Sequence, residues 1–173
     1  MALMLRQNGT GLELFFIQRA HHPDDPWSGN IGFPGGGAEP QDASLRHTAE
    51  RETLEEVGID LSEASYLGRL SDIVGQNLPV RVSCFVYGLH GQQAPVFSSE
   101  VQDAFWIEFD QLIAAERQVV ETVCFDGRFF EVPAILLHPA KPVLWGITFR
   151  LVSQFRHLLL PDSQTPTAYD LPL

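Results

Sequence analysis

The pattern of hydrophobic and polar positions predicts several β-strands distributed along the chain. Two apolar runs near its beginning, residues 2–6 and 12–19, are separated by the Asn-Gly dipeptide at residues 8–9, a strong signal for a β-hairpin. The Asp-Gly dipeptide at residues 126–127 predicts a second hairpin in the same way. Residues 21–36 are rich in His, Pro, Asp and Gly, which is typical of a loop. The other predicted strands cover residues 66–73, 80–89, 104–107, 119–125 and 128–137.

Three helices are also predicted, and in the last of them the apolar positions keep helical spacing, so that one of its faces is buried. The predicted helices cover residues 43–57, 109–116 and 143–160. Asp42 is the expected N-cap of the first helix and Gly58 its C-terminal stop, while Pro142 fits the first turn of the last. Strands interspersed with helices favour an α/β (α+β) fold in which a sheet is covered on both faces.

The length of 173 residues predicts one domain, which we place at residues 1–160. Residues 161–173 are polar and contain several prolines, so they are predicted to form a C-terminal tail. No apolar run approaches the roughly 20 residues of a membrane helix, and the first residues lack the pattern of a signal peptide. Cys84 and Cys124 lie in strand-like runs and are expected to be buried free thiols, which favours a cytoplasmic location.

The formal net charge of −11 argues against non-specific binding of nucleic acid, which requires a basic surface. It is compatible with an anionic small molecule, because bound divalent ions reverse the local field and a few arginines can grip the anion. Lys141 is the single lysine, so arginine supplies nearly all of the positive charge.

Three carboxylates, Glu52, Glu55 and Glu56, share one face of the first predicted helix, because residues three and four apart are neighbours on a helix. A solvated acidic face is one interpretation of this group. The other is a site for Mg²⁺ or Mn²⁺, which would relieve the repulsion and which prefer oxygen ligands. The adjacent Arg51 and the glycines at residues 35–37, where the backbone can approach a phosphate, favour the second interpretation.

Residues 51–59, with the sequence RETLEEVGI, resemble the second half of the Nudix box. The pattern of that box is Gly, five residues, Glu, seven residues, Arg-Glu, an aliphatic residue, any residue, Glu-Glu, any residue, Gly and an aliphatic residue. Thr53 stands where the pattern has an aliphatic residue. In the first half, Gly36 is followed after five residues by Asp42 instead of Glu, and the interval to Arg51 is one residue longer.

Other segments are similar to the coenzyme A pyrophosphatase branch of the Nudix hydrolases. The residues that carry this similarity are Phe33-Pro34-Gly35-Gly36, Glu39, Asp42, Thr48-Ala49, Arg51-Glu52 and the segment LWGITFR at 144–150. That branch has a basic residue in the loop before its Phe-Pro-Gly-Gly segment, whereas residues 20–29 of this chain carry acidic residues there.

The resemblance implies a Nudix-type α/β/α sandwich with a mixed β-sheet between helices. It also implies hydrolysis of a phosphoanhydride bond in a nucleoside diphosphate linked to another group, with Mg²⁺ or Mn²⁺ as the cofactor. The implied metal ligands are Glu52, Glu55, Glu56 and a main-chain carbonyl of the glycine turn, which we assign to Gly36. The implied catalytic group contains the same glutamates with Arg51, which would orient the carboxylates, and Glu100, which stands where the family often has a further base or ligand.

Three residues outside the box are candidate substrate contacts. Arg19 ends a strand that precedes the loop, where it could reach a phosphate. Trp27 could stack on a base, although packing of this loop tryptophan against the core is the alternative. Arg81 alternates with two valines and therefore lies on the opposite face of its strand from them. That face could border the site or be exposed to solvent.

The leading hypothesis is therefore a metal-dependent pyrophosphohydrolase whose partner is a small nucleotide diphosphate, with coenzyme A or a derivative as one substrate. A Nudix-fold module that binds a nucleotide without cleaving it is a second hypothesis. A triphosphatase for damaged nucleotides is a third. Neither a nucleic acid nor a membrane is an expected partner, and a homodimer is left open.

Overall fold

The computed structural model describes residues 1–161, apart from residues 10, 24, 26, 76–78, 92 and 126. The predicted tail lies outside the described residues except for Pro161. The strands are β1 (Ala2–Asn8), β2 (Gly11–Arg19), β3 (Ile31–Gly32), β4 (Ser65–Arg69), β5 (Ile73–Val74), β6 (Arg81–Val82), β7 (Phe85–Gly88), β8 (Val101–Glu108), β9 (Gln118–Phe125) and β10 (Arg128–Ile135). The helices are α1 (Leu45–Val57), α2 (Phe109–Ile113) and α3 (Gly146–Leu159), and Ala115–Arg117 form a 3₁₀ turn.

The main sheet contains six strands. Five of them lie in the order β3-β2-β1-β7-β4, and β8 also pairs with β2. Strands β1 and β7 are parallel, whereas the other pairs are antiparallel, so the sheet is mixed. Two smaller antiparallel pairs, β5 with β6 and β9 with β10, lie outside it.

Alternate residues of β1 belong to two separate buried clusters, which therefore lie on opposite faces of the sheet. Leu3 and Leu5 pack in a cluster that includes side chains of α2 and α3. Ala2 and Met4 pack in the other, which includes Ala49 of α1. Helices thus cover both faces, and the predicted α+β fold with a mixed sheet between helices is confirmed. Within the described residues, the helices are too short or too polar to cross a membrane.

Several boundaries differ from the prediction. Helix α1 begins at Leu45 with Ser44 as its N-cap, whose Oγ accepts a hydrogen bond from the His47 main-chain N–H at 3.1 Å, so the assignment of Asp42 as the cap is wrong. The C-terminal stop at Gly58 is confirmed, because this residue adopts φ 67° and its N–H donates to Leu54 O. Helix α3 begins only at Gly146, which places Pro142 before its first turn.

The exposure of one cysteine and the extent of two strands also differ from the predictions. Cys84 is buried, but Cys124 is exposed on β9, so the expectation of two buried thiols holds for Cys84 alone. The strand predicted at residues 66–73 divides into β4 and β5, and that predicted at 80–89 divides into β6 and β7.

Candidate functional site

The glycine turn at residues 35–37 lies against the start of β1 and the last turns of α1. Gly35 adopts φ 146°, and a Cβ there would lie 2.6 Å from Met1 Cα, so a larger residue would require the backbone to move. The Gly35 main-chain N–H donates to Glu56 Oε2 at 2.8 Å. The turn is therefore joined directly to the carboxylate group of α1.

Glu56 is the most buried of the three carboxylates, with 3% of its side chain exposed. Arg19 at the end of β2 places Nη1 3.6 Å from Glu56 Oε1. Burial raises the pKa of Glu56 from 4.5 to about 7, and the Gly35 hydrogen bond and the charge of Arg19 only partly oppose this effect. A buried carboxylate whose anion is poorly stabilised by its protein neighbours is suited to a cation.

Glu52 lies one helical turn from Glu56 and faces the same glycine turn. Its carboxyl carbon and both oxygens lie 2.6 Å from the position that a Cβ on Gly36 would occupy, so a larger residue there would displace this carboxylate. Burial also raises the pKa of Glu52, with the charge of Arg51 as the main opposing influence.

Arg51 connects the carboxylates to the loop. Its Nε donates to Asp42 Oδ1 and its Nη2 to Asp42 Oδ2, both at 3.1 Å, while Nη2 also donates to Gly37 O at 3.2 Å. The same guanidinium lies 3.0 Å from Glu52 Oε1 and 2.9 Å from Glu55 Oε2. These contacts support the predicted orienting role.

Asp42 has a function that the sequence reasoning missed. It accepts hydrogen bonds from Nε and Nη2 of Arg51, along one edge of the guanidinium, and a further one from Thr48 Oγ1 at 2.9 Å. The hydrogen bond from Arg51 holds the pKa of Asp42 well below its usual range. The signal was present in the sequence, because Asp42 occupies the position of the first glutamate of the Nudix pattern.

Glu55 differs from its two neighbours. Its side chain is 59% exposed and pairs with Arg51 at the outer side of the helix.

Thr53, which departs from the family pattern, is fully buried, and its hydroxyl donates to Ala49 O at 2.7 Å within the helix. The hydroxyl is thereby satisfied, and the residue packs as an aliphatic one would.

Glu100 lies in the turn before β8, beside the other carboxylates. Its carbonyl accepts a hydrogen bond from Ala20 N at 2.8 Å, next to Arg19, and Ser98 N donates to Glu56 O at 3.0 Å. The exposed Glu100 carboxylate is close enough to raise the pKa values of Glu52 and Glu56, although burial is the larger cause for both. The structure thus brings this residue to the group that the sequence predicted.

The three candidate substrate contacts have different positions. Arg19 lies within the group, paired with Glu56 and with Asp25 Oδ2 at 2.8 Å. Trp27 is half-buried, and its ring lies 6.1 Å from that of Phe125. The Trp27 main-chain N–H donates to Asp25 Oδ1, which ties the backbone of this loop to the partner of Arg19. Arg81 lies on β6, where it is 74% exposed and pairs with Asp72.

The chemistry of these residues fits a divalent metal ion. Glu52 and Glu56 offer carboxylate oxygens beside the main-chain carbonyls of the glycine turn, and burial disfavours their anions when no cation is present. Within the described part of the chain, no three histidine, cysteine or acidic side chains are gathered closely enough to form a complete metal cage. The donor set would therefore be completed by main-chain carbonyls, water and substrate oxygens, as is usual for Mg²⁺.

Replacing Gly36 by alanine is expected to reduce the activity of this site by about 10-fold or more, because the new Cβ would displace the Glu52 carboxylate. The matched control is Gly37→Ala, since a Cβ at Gly37 would meet nothing within 4 Å. Steady-state kinetics with metal present would measure both variants. Equal activity of the two proteins would contradict the assigned role of Glu52.

The raised pKa of Glu56 predicts a loss of stability with pH in the metal-free protein. The folded state binds this proton more tightly than the unfolded state, so the contribution is present below about pH 4.5 and is lost as pH rises through about 7. The loss amounts to at most about 3 kcal/mol. Unfolding of wild type and Glu56→Gln in EDTA, from pH 5.5 to 8.5, would measure it, because the other titrating groups are common to both.

We expect the free energy of unfolding of Glu56→Gln to change less over this range. Addition of Mg²⁺ at high pH should stabilise the wild type more than the variant. Parallel pH profiles for the two proteins would contradict the assigned environment of Glu56.

The comparisons with known proteins agree with this architecture. The family model of the NUDIX domain matches residues 1–123, and the chain therefore belongs to the Nudix family. The human protein named mitochondrial coenzyme A diphosphatase NUDT8 is 31% identical over 155 residues, which span 88% of this chain and 65% of the human protein. The Yersinia pestis (strain Pestoides F) protein named uncharacterized Nudix hydrolase NudL is 48% identical over 147 residues, which span 84% of this chain and 70% of that protein.

A solved structure of similar fold is that of a MutT/nudix family protein from Enterococcus faecalis. It has a TM-score of 0.64 at 15% sequence identity and covers 91% of this chain and 60% of that one. At this identity the likeness concerns the fold, and it confirms the predicted Nudix-type sandwich.

Proposed function

We propose that this protein is a Mg²⁺- or Mn²⁺-dependent pyrophosphohydrolase that cleaves a nucleoside diphosphate linked to another group. The observation that carries the proposal is the convergence of Glu52 and the buried Glu56 on the glycine turn, with Arg19 beside them. Coenzyme A or a derivative is the leading substrate, a choice supported by the name of the human relative.

In this proposal the metal is held by Glu52, Glu56 and the Gly36 carbonyl, with Glu55 available at the rim. When bound, the metal would neutralise diphosphate oxygens and lower the pKa of a coordinated water. Arg51 keeps Glu52 in position through its paired contacts with Asp42.

The remaining steps belong to other side chains of the site. Arg19 binds a phosphate oxygen of the substrate, and Glu100 accepts the proton of the attacking water. The water oxygen forms a bond to one phosphorus while the bond from that phosphorus to the bridging oxygen breaks. The products are two phosphate monoesters. Trp27 remains a candidate contact for the base, because the loop that holds it is anchored to Arg19 through Asp25.

The test is incubation of the purified protein with Mg²⁺ or Mn²⁺ and coenzyme A, ADP-ribose, NADH or nucleoside triphosphates, with products identified by mass. Two phosphate monoesters from a diphosphate conjugate are expected. Release of pyrophosphate from a triphosphate would instead favour the triphosphatase, and thermal stabilisation by a nucleotide without turnover would favour a binding module.

Two predicted properties stay part of the proposal. The first is a cytoplasmic location, whereas the name of the human relative places that protein in mitochondria. The second is the assembly state, for which size-exclusion chromatography with light scattering would separate a monomer from a homodimer.

A further inference from the structure

Apart from Arg19 and Arg51 of the carboxylate site, two more arginines, Arg69 and Arg81, lie at the same end of the main sheet as Arg19. They share hydrogen bonds with Asp72 and Ser83, and we call these four residues the second arginine group. Arg81 Nε donates to Asp72 Oδ2 at 2.7 Å, and Arg69 Nη2 donates to Asp72 Oδ1. Ser83 Oγ accepts from Arg69 Nη2 at 3.1 Å and donates to Asp72 Oδ1 at 2.9 Å. One carboxylate thus holds two guanidiniums together.

Arg69 points to the face of the sheet that carries α1. It pairs in register with Phe85, and its guanidinium carbon lies 5.7 Å from the centre of the Phe85 ring. Phe85 also pairs with Ala2 of β1, and both residues are buried in the cluster that includes α1. Arg19 faces the same side, because it pairs with Glu56 of α1. Both arginines therefore lie on one face.

The strand order fixes the separation of these two arginines. Strands β1 and β7 lie between β2, which ends at Arg19, and β4, which ends at Arg69. Three strand spacings of roughly 4.8 Å correspond to about 14 Å. A nucleoside that carries phosphates on both sides of its ribose, together with the reach of an arginine side chain, can bridge this distance.

The charge of the second arginine group suits an anion. Asp72 balances one of the two guanidiniums, which leaves a net positive group on a chain whose formal charge is −11. The hydrogen bond from Arg69 is the main cause that lowers the pKa of Asp72 to about 2, so the carboxylate stays ionised and keeps both guanidiniums in place. Arg81 is 74% exposed, and its hydrogen bond to Asp72 uses Nε. Among the described residues, its terminal nitrogens can therefore make bidentate contacts with a phosphate.

We propose that the second arginine group binds a phosphate monoester that the substrate carries apart from its diphosphate. The protein then prefers nucleotide conjugates that bear this extra phosphate over otherwise identical conjugates without it. This inference rests on the proposed function, and the additional phosphate that it concerns does not contact the carboxylate site.

Matched pairs of substrates test the inference. Coenzyme A and 3′-dephospho-coenzyme A differ only in a 3′-phosphate, and NADPH and NADH differ only in a 2′-phosphate. We expect the wild type to favour the phosphorylated member of one pair by at least about 10-fold in kcat/KM, as a charge-assisted contact would provide. The pair that shows the preference identifies the position of the phosphate.

Arg81→Gln and Arg69→Gln should abolish this preference by raising KM for the phosphorylated member, while kcat/KM for the other member stays within about 2-fold. Arg128→Gln is the control, because it removes the same charge from an exposed position on β10. Equal cleavage of both members by the wild type would overturn the inference. So would variants that lose activity equally on both members, which is the result of a purely structural role.

Calorimetric titration separates the inference from the proposed function. If the wild type cleaves none of the four compounds, the proposed function fails for them. The inference is then tested by comparing the affinities of adenosine 3′,5′-bisphosphate and adenosine 2′,5′-bisphosphate with that of AMP. Tighter binding of a bisphosphate that is lost in Arg81→Gln would support the second arginine group as a phosphate site. Equal binding of AMP and both bisphosphates would overturn it.

Discussion

Replacing Glu56 by glutamine is expected to lower kcat for hydrolysis of the diphosphate by at least about 1,000-fold. The substitution keeps the size of the side chain, and its amide oxygen can still accept the Gly35 hydrogen bond. It removes the negative charge that would bind the metal ion at the most buried position of the group. Because burial already favours the neutral form of Glu56, the fold should be retained.

Two further variants give this result its meaning. Glu63→Gln removes an equal charge from an exposed position outside the site and should leave kcat unchanged. Glu55→Gln should reduce kcat by about 10-fold or less, because its side chain is 59% exposed and lies at the rim. Activity in Glu56→Gln within 10-fold of wild type, together with a larger loss in Glu55→Gln, would reverse the assignment of the two glutamates. Circular dichroism and thermal unfolding would check that each variant is folded.

Replacing Asp42 by asparagine is expected to lower kcat by about 100-fold, because small displacements in a positioned site have effects of this size. Asparagine offers one oxygen to the Arg51 guanidinium and turns an N–H group towards it, so the bidentate contact is lost. Arg51 would then no longer be fixed against Glu52 and Gly37. The loss should appear mainly in kcat, since Asp42 does not contact the diphosphate in our proposal.

Ser44→Ala separates this effect from helix capping. It removes the side chain that accepts from His47 N–H at the start of α1, and it should cost about 1 kcal/mol of stability. Its kcat should stay close to that of the wild type. If Ser44→Ala and Asp42→Asn both destabilised the protein and left kcat unaltered, Asp42 would belong to the helix start rather than to the positioning of Arg51.

Much of the fold followed from local patterns. The first hairpin, α1 with its stop at Gly58 and the second hairpin agree with the predictions, because turn dipeptides and helical spacing act over a few residues. The loop predicted at residues 21–36 is wrong in part, because Ile31–Gly32 form β3 and pair with β2. The starts of α1 and α3 were misplaced. Ser44 lies only two residues from Asp42, and both are good cap residues, so geometry had to choose between them.

The strands beyond α1 were harder to predict. Residues 66–73 form an uninterrupted strand pattern, yet Arg69 ends β4, and Asp72 leaves the sheet to bind two arginines. The alternation of Arg81 with apolar residues did not decide whether its side chain borders the site or is exposed to solvent. Its partner lies nine positions away, and no local spacing indicates such a pair.

The sequence by itself determined the carboxylate-bearing helix, the glycine turn before it and the family to which both belong. These features depend on spacing within one segment, where chain geometry fixes which residues are neighbours. Only the tertiary structure decided that Glu56 is buried while Glu55 is exposed, because that depends on which side of α1 faces the sheet. It also decided that Arg19 and Glu100 meet at Glu56, since strand pairing, rather than sequence distance, brings the ends of separate strands together.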